Sequence, residues 1–249
     1  MNEMKRTARR NERAAKEAEA RKNDLIVYLA HDLKTPLTSV IGYLTLLKDE
    51  PEISRELQER YLGVALDKAE RLEDLINEFF DITRFNLTHI TLEPSRVNLS
   101  RMLEQIAYEF KPVLAGKGLS CDLTVEPDMM FYLDVDKMER VFDNLFRNAV
   151  NYSFPNTEIR VIGQRREDGV EVIVRNHGNT IPREKLDRIF EQFFRLDSSR
   201  GSATDGAGLG LAIAKEIVEL HGGIITAASE AETVTFIVFL PEEKGGRYV

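Results

Sequence analysis

Apolar residues recur every three or four positions in two stretches near the start of the chain. Ile26, Leu29, Leu33, Leu37, Val40, Leu44 and Leu47 form one series, and Leu57, Tyr61, Val64, Leu72, Leu75, Phe79 and Ile82 form a second. That spacing marks one stripe on an α-helix. The intervening KDEPEIS has the composition of a turn, so the pattern predicts two long helices in a hairpin. A single hairpin leaves part of each stripe uncovered, whereas two hairpins packed as a four-helix bundle close it. A homodimer is expected.

Near residue 90 the texture changes to short alternating runs and amphipathic segments. The pattern predicts a helix near 99–115, strands near 119–125 and 130–135, and a helix over 136–152. A hairpin follows in EIRVIGQRREDGVEVIVRN, turning at Asp168 and Gly169, then a polar loop over 183–205, a helix over 208–221 and two closing strands. This order predicts a mixed sheet with helices on one face, an α+β layer sandwich. The loop has the length and composition of a mobile lid. The chain thus divides into a charged helical linker (1–23), a helical hairpin (24–88), an α+β domain (89–241) and a tail (242–249).

Charge narrows the partners. A formal net charge of −8 argues against a nucleic-acid backbone as the main partner, because phosphate contacts need clustered Lys and Arg. The first 23 residues are the exception, with eight Lys and Arg against four Glu and no apolar face to bury. A basic segment of this kind suits the cytoplasmic side of a membrane span. The longest apolar runs, LIVYLA at 25–30 and FIVFL at 236–240, fall well short of the ~18 residues a span needs. The chain is therefore expected to be soluble and cytoplasmic, with any membrane contact made through an N-terminal sensor region outside it. The single cysteine, Cys121, lies in the strand-like LSCDLTVE, makes no internal disulfide and fits a reducing compartment.

Candidate chemistry begins at HDLKTPL, 31–37. His31 lies about 200° around the helix from Leu29, away from the apolar stripe, where a neutral imidazole has a lone pair for attack. Asp32 beside it is placed to orient the ring and stabilise the charge formed, as general base and orienter. Thr35 stands one turn above His31 on the same face. Pro36 removes one helical hydrogen bond, so a bend is expected there. Taken alone, His31 would more often be an ordinary surface histidine.

The second constellation is GAGLGLAIA at 206–214, where glycines precede and enter a helix. Bare N–H groups at a helix N-terminus bind phosphate, although a Gly-x-Gly-x-Gly alone is also compatible with a tight turn. In DNLFRNAVNYS, Asn144, Asn148 and Asn151 fall on related turns of one helix, and a neutral amide oxygen from Asn148 suits Mg²⁺ beside a triphosphate. In NHGNTIP at 176–182, Asn176 is placed to accept from an adenine amino group, and Gly178 lets the base approach. IFEQFFRLD places Phe190, Phe193 and Phe194 ahead of the lid, where they either pack it down or belong to the core.

In order, HDLKTPL, the asparagine helix, NHGNT, FEQFFR and GAGLGL resemble the five sequence boxes of bacterial sensor histidine kinases over residues 24–241. The resemblance implies a dimerisation and phosphoacceptor hairpin followed by a Bergerat-type ATP-binding domain. It implies His31 as phosphoacceptor, Asp32 as its acid/base partner and Thr35 as the residue used in dephosphorylating a response regulator. Its nucleotide set is Asn144, Asn148, Asn151, Tyr152, Asn176, Gly178, Thr180, Gly206, Gly208, Leu209, Gly210 and Leu211, with Asn148 on magnesium. The implied cofactors are ATP and Mg²⁺, and the implied partner is a response-regulator receiver domain. The chain departs from the family pattern at Asn176 (usually Asp), Thr180 (usually Gly) and Asn151 (often Lys). KNDLIVYLAHDLKTPLTSVIGYL and IPREKLDRIFEQFFRLDSSR are similar to the sensor kinases of vancomycin resistance, which implies a VanR-like regulator. Two other readings share parts of the pattern: a gyrase- or chaperone-type ATPase without phosphohistidine, and a dimeric scaffold or phosphatase-dominant pseudokinase.

Overall fold

A computed structural model describes residues 33–50, 52–87, 92–192, 194–196 and 208–242. The chain divides into two compact units, Met1–Thr88 and His89–Val249. His31, Asp32, the segment 1–23 and the upper residues of the first apolar stripe, Ile26 and Leu29, lie outside the described residues.

The first unit is a helical hairpin. Its first helix, α1, is described over 33–49, and α2 is Arg55–Leu87. The helix α1 continues through Pro36, which is buried, and the Thr38 and Ser39 hydroxyls donate to the carbonyls of Lys34 and Thr35 at 2.8 and 3.2 Å. Ser54 starts α2 as its side-chain oxygen accepts from the Leu57 N–H at 3.3 Å, the usual task of an N-cap hydroxyl. Tyr43 and Tyr61 meet across the hairpin with ring centroids 5.4 Å apart. Ala65 and Leu75 are buried, but Leu37, Ile41, Leu44, Leu62 and Leu66 remain exposed. The hairpin therefore covers only part of its own apolar surface.

The second unit is built on a five-stranded sheet of order β2-β4-β5-β7-β6. Its strands are β2 (Ser120–Val125), β4 (Glu158–Arg166), β5 (Gly169–His177), β6 (Ile224–Glu230) and β7 (Thr233–Pro241). Only β2 and β4 run parallel; the other neighbouring pairs are antiparallel. A separate two-stranded ribbon joins β1 (Ser95–Asn98) to β3 (Met130–Leu133). Alternation along the strands separates the faces. On β5, Val170, Val172 and Val174 are buried, and on β7, Val234, Phe236, Val238 and Leu240.

Three helices lie against the sheet: α3 (Leu99–Glu109) at β2, α5 (Val135–Tyr152) at β5 and α6 (Gly210–Leu220) at β6. Met138, Val141, Phe142, Leu145 and Phe146 of α5 are fully buried, as are Ile217 and Val218 of α6. Burial of each large side chain is worth about 1.5–3 kcal/mol. The mixed sheet with helices on one face agrees with the sequence pattern. One boundary differs: the helix expected near 99–115 is two, α3 and α4 (Lys111–Gly116), meeting at Phe110. Pro112 lacks the N–H that would continue α3, so the chain restarts there.

Two polar anchors set how α5 and α6 lie together. Asp134 caps α5, its Oδ1 accepting from the Lys137 N–H at 3.2 Å, while Oδ2 accepts from the Glu93 N–H at 2.9 Å and the Lys137 ammonium at 2.6 Å. Burial acts to raise the Asp134 carboxyl, but these bonds hold it below the usual carboxylate range. The Asp134 N–H donates to His221 Nε2 at 3.1 Å, and His221 Nδ1 bonds the Ile217 carbonyl at 2.8 Å. That pairing requires the neutral ring with its proton on Nδ1. Burial pushes the imidazole below its ordinary range and Lys137 acts the same way, against the Ile217 carbonyl and the Asp134 charge.

A histidine with a depressed native value contributes stability that is present above the unfolded value of about 6.5 and is lost as pH falls through the native value. Chemical unfolding between pH 7.5 and 5 should show stability falling as the solution is acidified. His221→Gln should flatten that fall, and an unchanged pH slope in the variant would remove His221 as its source.

Candidate functional site

The three asparagines read from the sequence share one face of α5, and the structure gives each different surroundings. Asn144 faces the start of α6: a Cβ on Gly210 would stand 2.9 Å from Asn144 Oδ1, so the missing side chain lets the two helices close. Asn144 Nδ2 is buried without a partner. Asn148, one turn on, is half-buried. Asn151 is engaged differently, its Oδ1 accepting from the Lys117 ammonium at 3.0 Å, with the Val150 carbonyl 3.3 Å from the same group. Lys117 lies 34 residues away in sequence, and nothing in the local pattern signals it.

Among the described residues, no side chain caps the N-terminus of α6. Gly208 has φ +74°, Leu209 makes no side-chain cap, and the first turn holds no acidic residue. Such an end presents backbone N–H groups and the positive end of the helix dipole to an anion. Leu209 itself is fully buried, so its side chain belongs to the core. Leu211 is half-buried, and Gly206 lies outside the described residues.

The loop after β5 is held from two sides. Gly178 donates to the Glu232 carbonyl at 2.9 Å, and the Glu232 N–H donates to the Thr180 hydroxyl at 3.0 Å. The hydroxyl of Thr180 thus anchors the β6–β7 turn, where Ala231 and Glu232 have φ of 48° and 59°. On the other side, a Cβ on Gly178 would collide with the Tyr152 carbonyl oxygen at the end of α5. The Tyr152 ring is half-exposed. Asn176 occupies the next inward position of β5 after three valines, is 1% exposed, and has neither Nδ2 nor Oδ1 bonded.

Phe190, half-buried, packs edge-on against the buried Phe236 with centroids 6.3 Å apart, and residues 197–207 of the expected lid lie outside the described residues. Phe194 is covered by the Arg188 guanidinium at 4.5 Å, and Phe193 lies outside the described residues. Cys121 sits in β2, where burial and then the charges of Asp122 and Glu158 push its thiol up, which leaves it a poor nucleophile.

The uncapped N-terminus of α6 and the two asparagines with unpaired buried atoms are groups that a phosphorylated ligand with polar edges can satisfy. Comparison with known proteins agrees. Residues 133–244 match the family of histidine kinase-, DNA gyrase B- and HSP90-like ATPases, and residues 21–87 match the His Kinase A phospho-acceptor domain. Sensor protein VanSC of Enterococcus gallinarum is 53% identical over 242 residues, covering 97% of this chain and 67% of that protein. Sensor protein VanS of Enterococcus faecium is 48% identical over 241 residues, covering 97% and 62%.

The chain belongs to the VanS-type sensor histidine kinases. It spans about two thirds of the length of these relatives. Histidine kinase ThkA, solved in complex with response regulator TrrA, shares the fold with a TM-score of 0.73 at 23% identity, over 92% of this chain and 64% of that one. The phospho-acceptor match takes in His31 and Thr35, and sets this kinase apart from ATPases that share only the nucleotide domain.

Gly178→Ala tests the close approach of the loop after β5 to the end of α5 in this kinase. The added methyl forces the loop off the Tyr152 carbonyl, a loss of about 1–3 kcal/mol of the order seen for overpacking. Urea unfolding should show that loss together with weaker nucleotide binding, and wild-type stability would contradict it.

Proposed function

We propose that this kinase binds ATP with Mg²⁺ between α5 and α6 and phosphorylates His31. The imidazole lone pair attacks the γ-phosphorus, a P–N bond forms as the P–O bond to ADP breaks, and Asp32 accepts or shares the ring proton. Positioning and charge neutralisation are the main contributions expected of the protein in such a transfer. Asn148 would hold Mg²⁺ through its amide oxygen, and the ion would supply charge neutralisation on the phosphates. The phosphoryl group then passes to an aspartate of a response-regulator receiver domain, and Thr35 serves the reverse role of clearing it from the regulator.

The observation that carries this reading is the pairing, within one chain, of a phospho-acceptor domain with an ATPase-type domain whose helix α6 starts without a side-chain cap. The uncovered leucines and Ile41 of the hairpin support a homodimer in which two hairpins close one bundle. ThkA in complex with TrrA supports a receiver domain as partner. Kinship with VanSC and VanS supports a role in vancomycin resistance and a parent protein in the bacterial cell membrane. Among the described residues no helix is long and apolar enough to cross a membrane.

Incubation with γ-labelled ATP and Mg²⁺ should leave acid-labile, base-stable label on the parent and none on His31→Gln. Label retained on the variant would move the acceptor elsewhere, and no label on a folded, ATP-binding parent would remove the kinase reading. Thr35→Ala should keep autophosphorylation while slowing dephosphorylation of the regulator by tenfold or more, about 1.4 kcal/mol. Equal dephosphorylation rates would end that assignment.

A further inference from the structure

The contact between the start of α5 and the close of α6 runs through a titratable ring. His221 follows the last residue of α6, and its Nε2 accepts the Asp134 N–H at 3.1 Å. Its Nδ1 faces the Ile217 carbonyl at 2.8 Å, so Nδ1 carries the ring proton and Nε2 the lone pair. A second proton has only Nε2 to go to. There it would face the Asp134 N–H, donor against donor, and the bond between the two helices would be lost. Turning the ring over does not restore it, since both nitrogens of the cation are donors.

The surroundings offer no substitute. Asp134 is buried, which leaves little room for water to take the place of the ring. Its carboxylate is already engaged, Oδ1 by the Lys137 N–H and Oδ2 by the Glu93 N–H and the Lys137 ammonium. The charged groups acting on the ring come from the start of α5: the Asp134 carboxylate favours a second proton and the Lys137 ammonium opposes it. On α6 itself the Ile217 carbonyl favours that proton, and burial, the largest influence, opposes it. Farther along, the two helices meet through the buried Phe142, Leu145, Ile213 and Ile217. Apolar contact is non-directional and leaves their relative setting to the polar bond. That setting decides how the start of α6 lies against Asn144, where Gly210 makes its close approach.

We propose that His221 is an acid-sensitive latch: the neutral ring fixes the seating of α6 on α5, and a proton on Nε2 releases it and weakens nucleotide binding. The proposal rests on the nucleotide reading above. Coupling between two ligands is reciprocal, so a nucleotide that favours the latched form must in turn expel the proton. Binding in acid therefore releases protons to the buffer.

The test is calorimetric binding of ATP at saturating Mg²⁺ to the whole chain between pH 7.5 and 5.5, in buffers of different ionisation enthalpy. Circular dichroism at each pH confines the comparison to folded protein. The parent should lose about tenfold in affinity across the range and release protons on binding at its acid end. His221→Gln does not titrate, so its affinity should fall by less than about threefold with less proton release. Titration of the nucleotide is common to both, and the difference between them reads the ring. Lys137→Met removes the cation that opposes the second proton and should move the fall to higher pH. A His221→Gln with the parent's pH profile overturns the proposal, as does a Lys137→Met whose fall begins no higher than the parent's. Should His221→Gln fail to fold, the parent's proton release and the Lys137→Met shift decide. A parent whose ATP affinity ignores pH refutes the latch alone, whereas one that binds no nucleotide at pH 7.5 refutes the nucleotide reading and the latch with it.

Discussion

The candidate site depends on the antiparallel seating of α5 against α6, clamped at both ends. At one end the α5 cap, Asp134, gives its N–H to His221 at the close of α6. At the other the absence of a side chain on Gly210 brings the start of α6 against Asn144. Between these points the contact is apolar, with Phe142 and Leu145 of α5 and Ile213 and Ile217 of α6 buried. The uncapped N-terminus of one helix and the asparagine face of the other are thereby held side by side. Asp134 also takes the N–H of Glu93, so the same carboxylate fixes the point where the chain enters the domain.

Against that rigid background the unpaired groups are concentrated. Among the described residues, the buried side-chain polar atoms without a partner are Nδ2 of Asn144 and both amide atoms of Asn176. Buried polar atoms are ordinarily bonded, since leaving one unmade costs about 1–3 kcal/mol. Here the deficit falls on two residues the sequence marks as candidate ligand contacts, Asn144 on α5 and Asn176 on β5. The helical hairpin shows the complementary deficit: its unmet surface is apolar, which a second protein surface satisfies and a small polar ligand does not.

Periodicity made much of this legible. The valine alternation gave β5, the leucine and phenylalanine spacing gave α5, and glycines before an apolar run marked the start of α6. What stayed hidden depends on contacts between distant residues. The ammonium of Lys117 reaches Asn151 from 34 positions away. The hydroxyl of Thr180 is recruited by the Glu232 N–H, 52 positions on. Leu209 reads as part of a glycine loop yet its side chain fills the core. The break between α3 and α4 was signalled by Pro112, but amphipathic spacing on both sides masked it. The turn at Ala231 and Glu232 carries no sequence signal, because neither residue favours a left-handed backbone.

That turn has a wider meaning. Both backbone groups of Glu232 are committed to the loop after β5, one to Gly178 and one to Thr180. Two residues in an uncomfortable conformation, about 1–2 kcal/mol each, are thus retained at a hairpin tip that serves as a strut for another loop. Two loops of the domain are tied together through this one peptide unit. The sequence at the tip is consequently shaped by a demand made elsewhere, and a turn better suited to its own hairpin would serve the kinase only if it kept Glu232's two bonds in place.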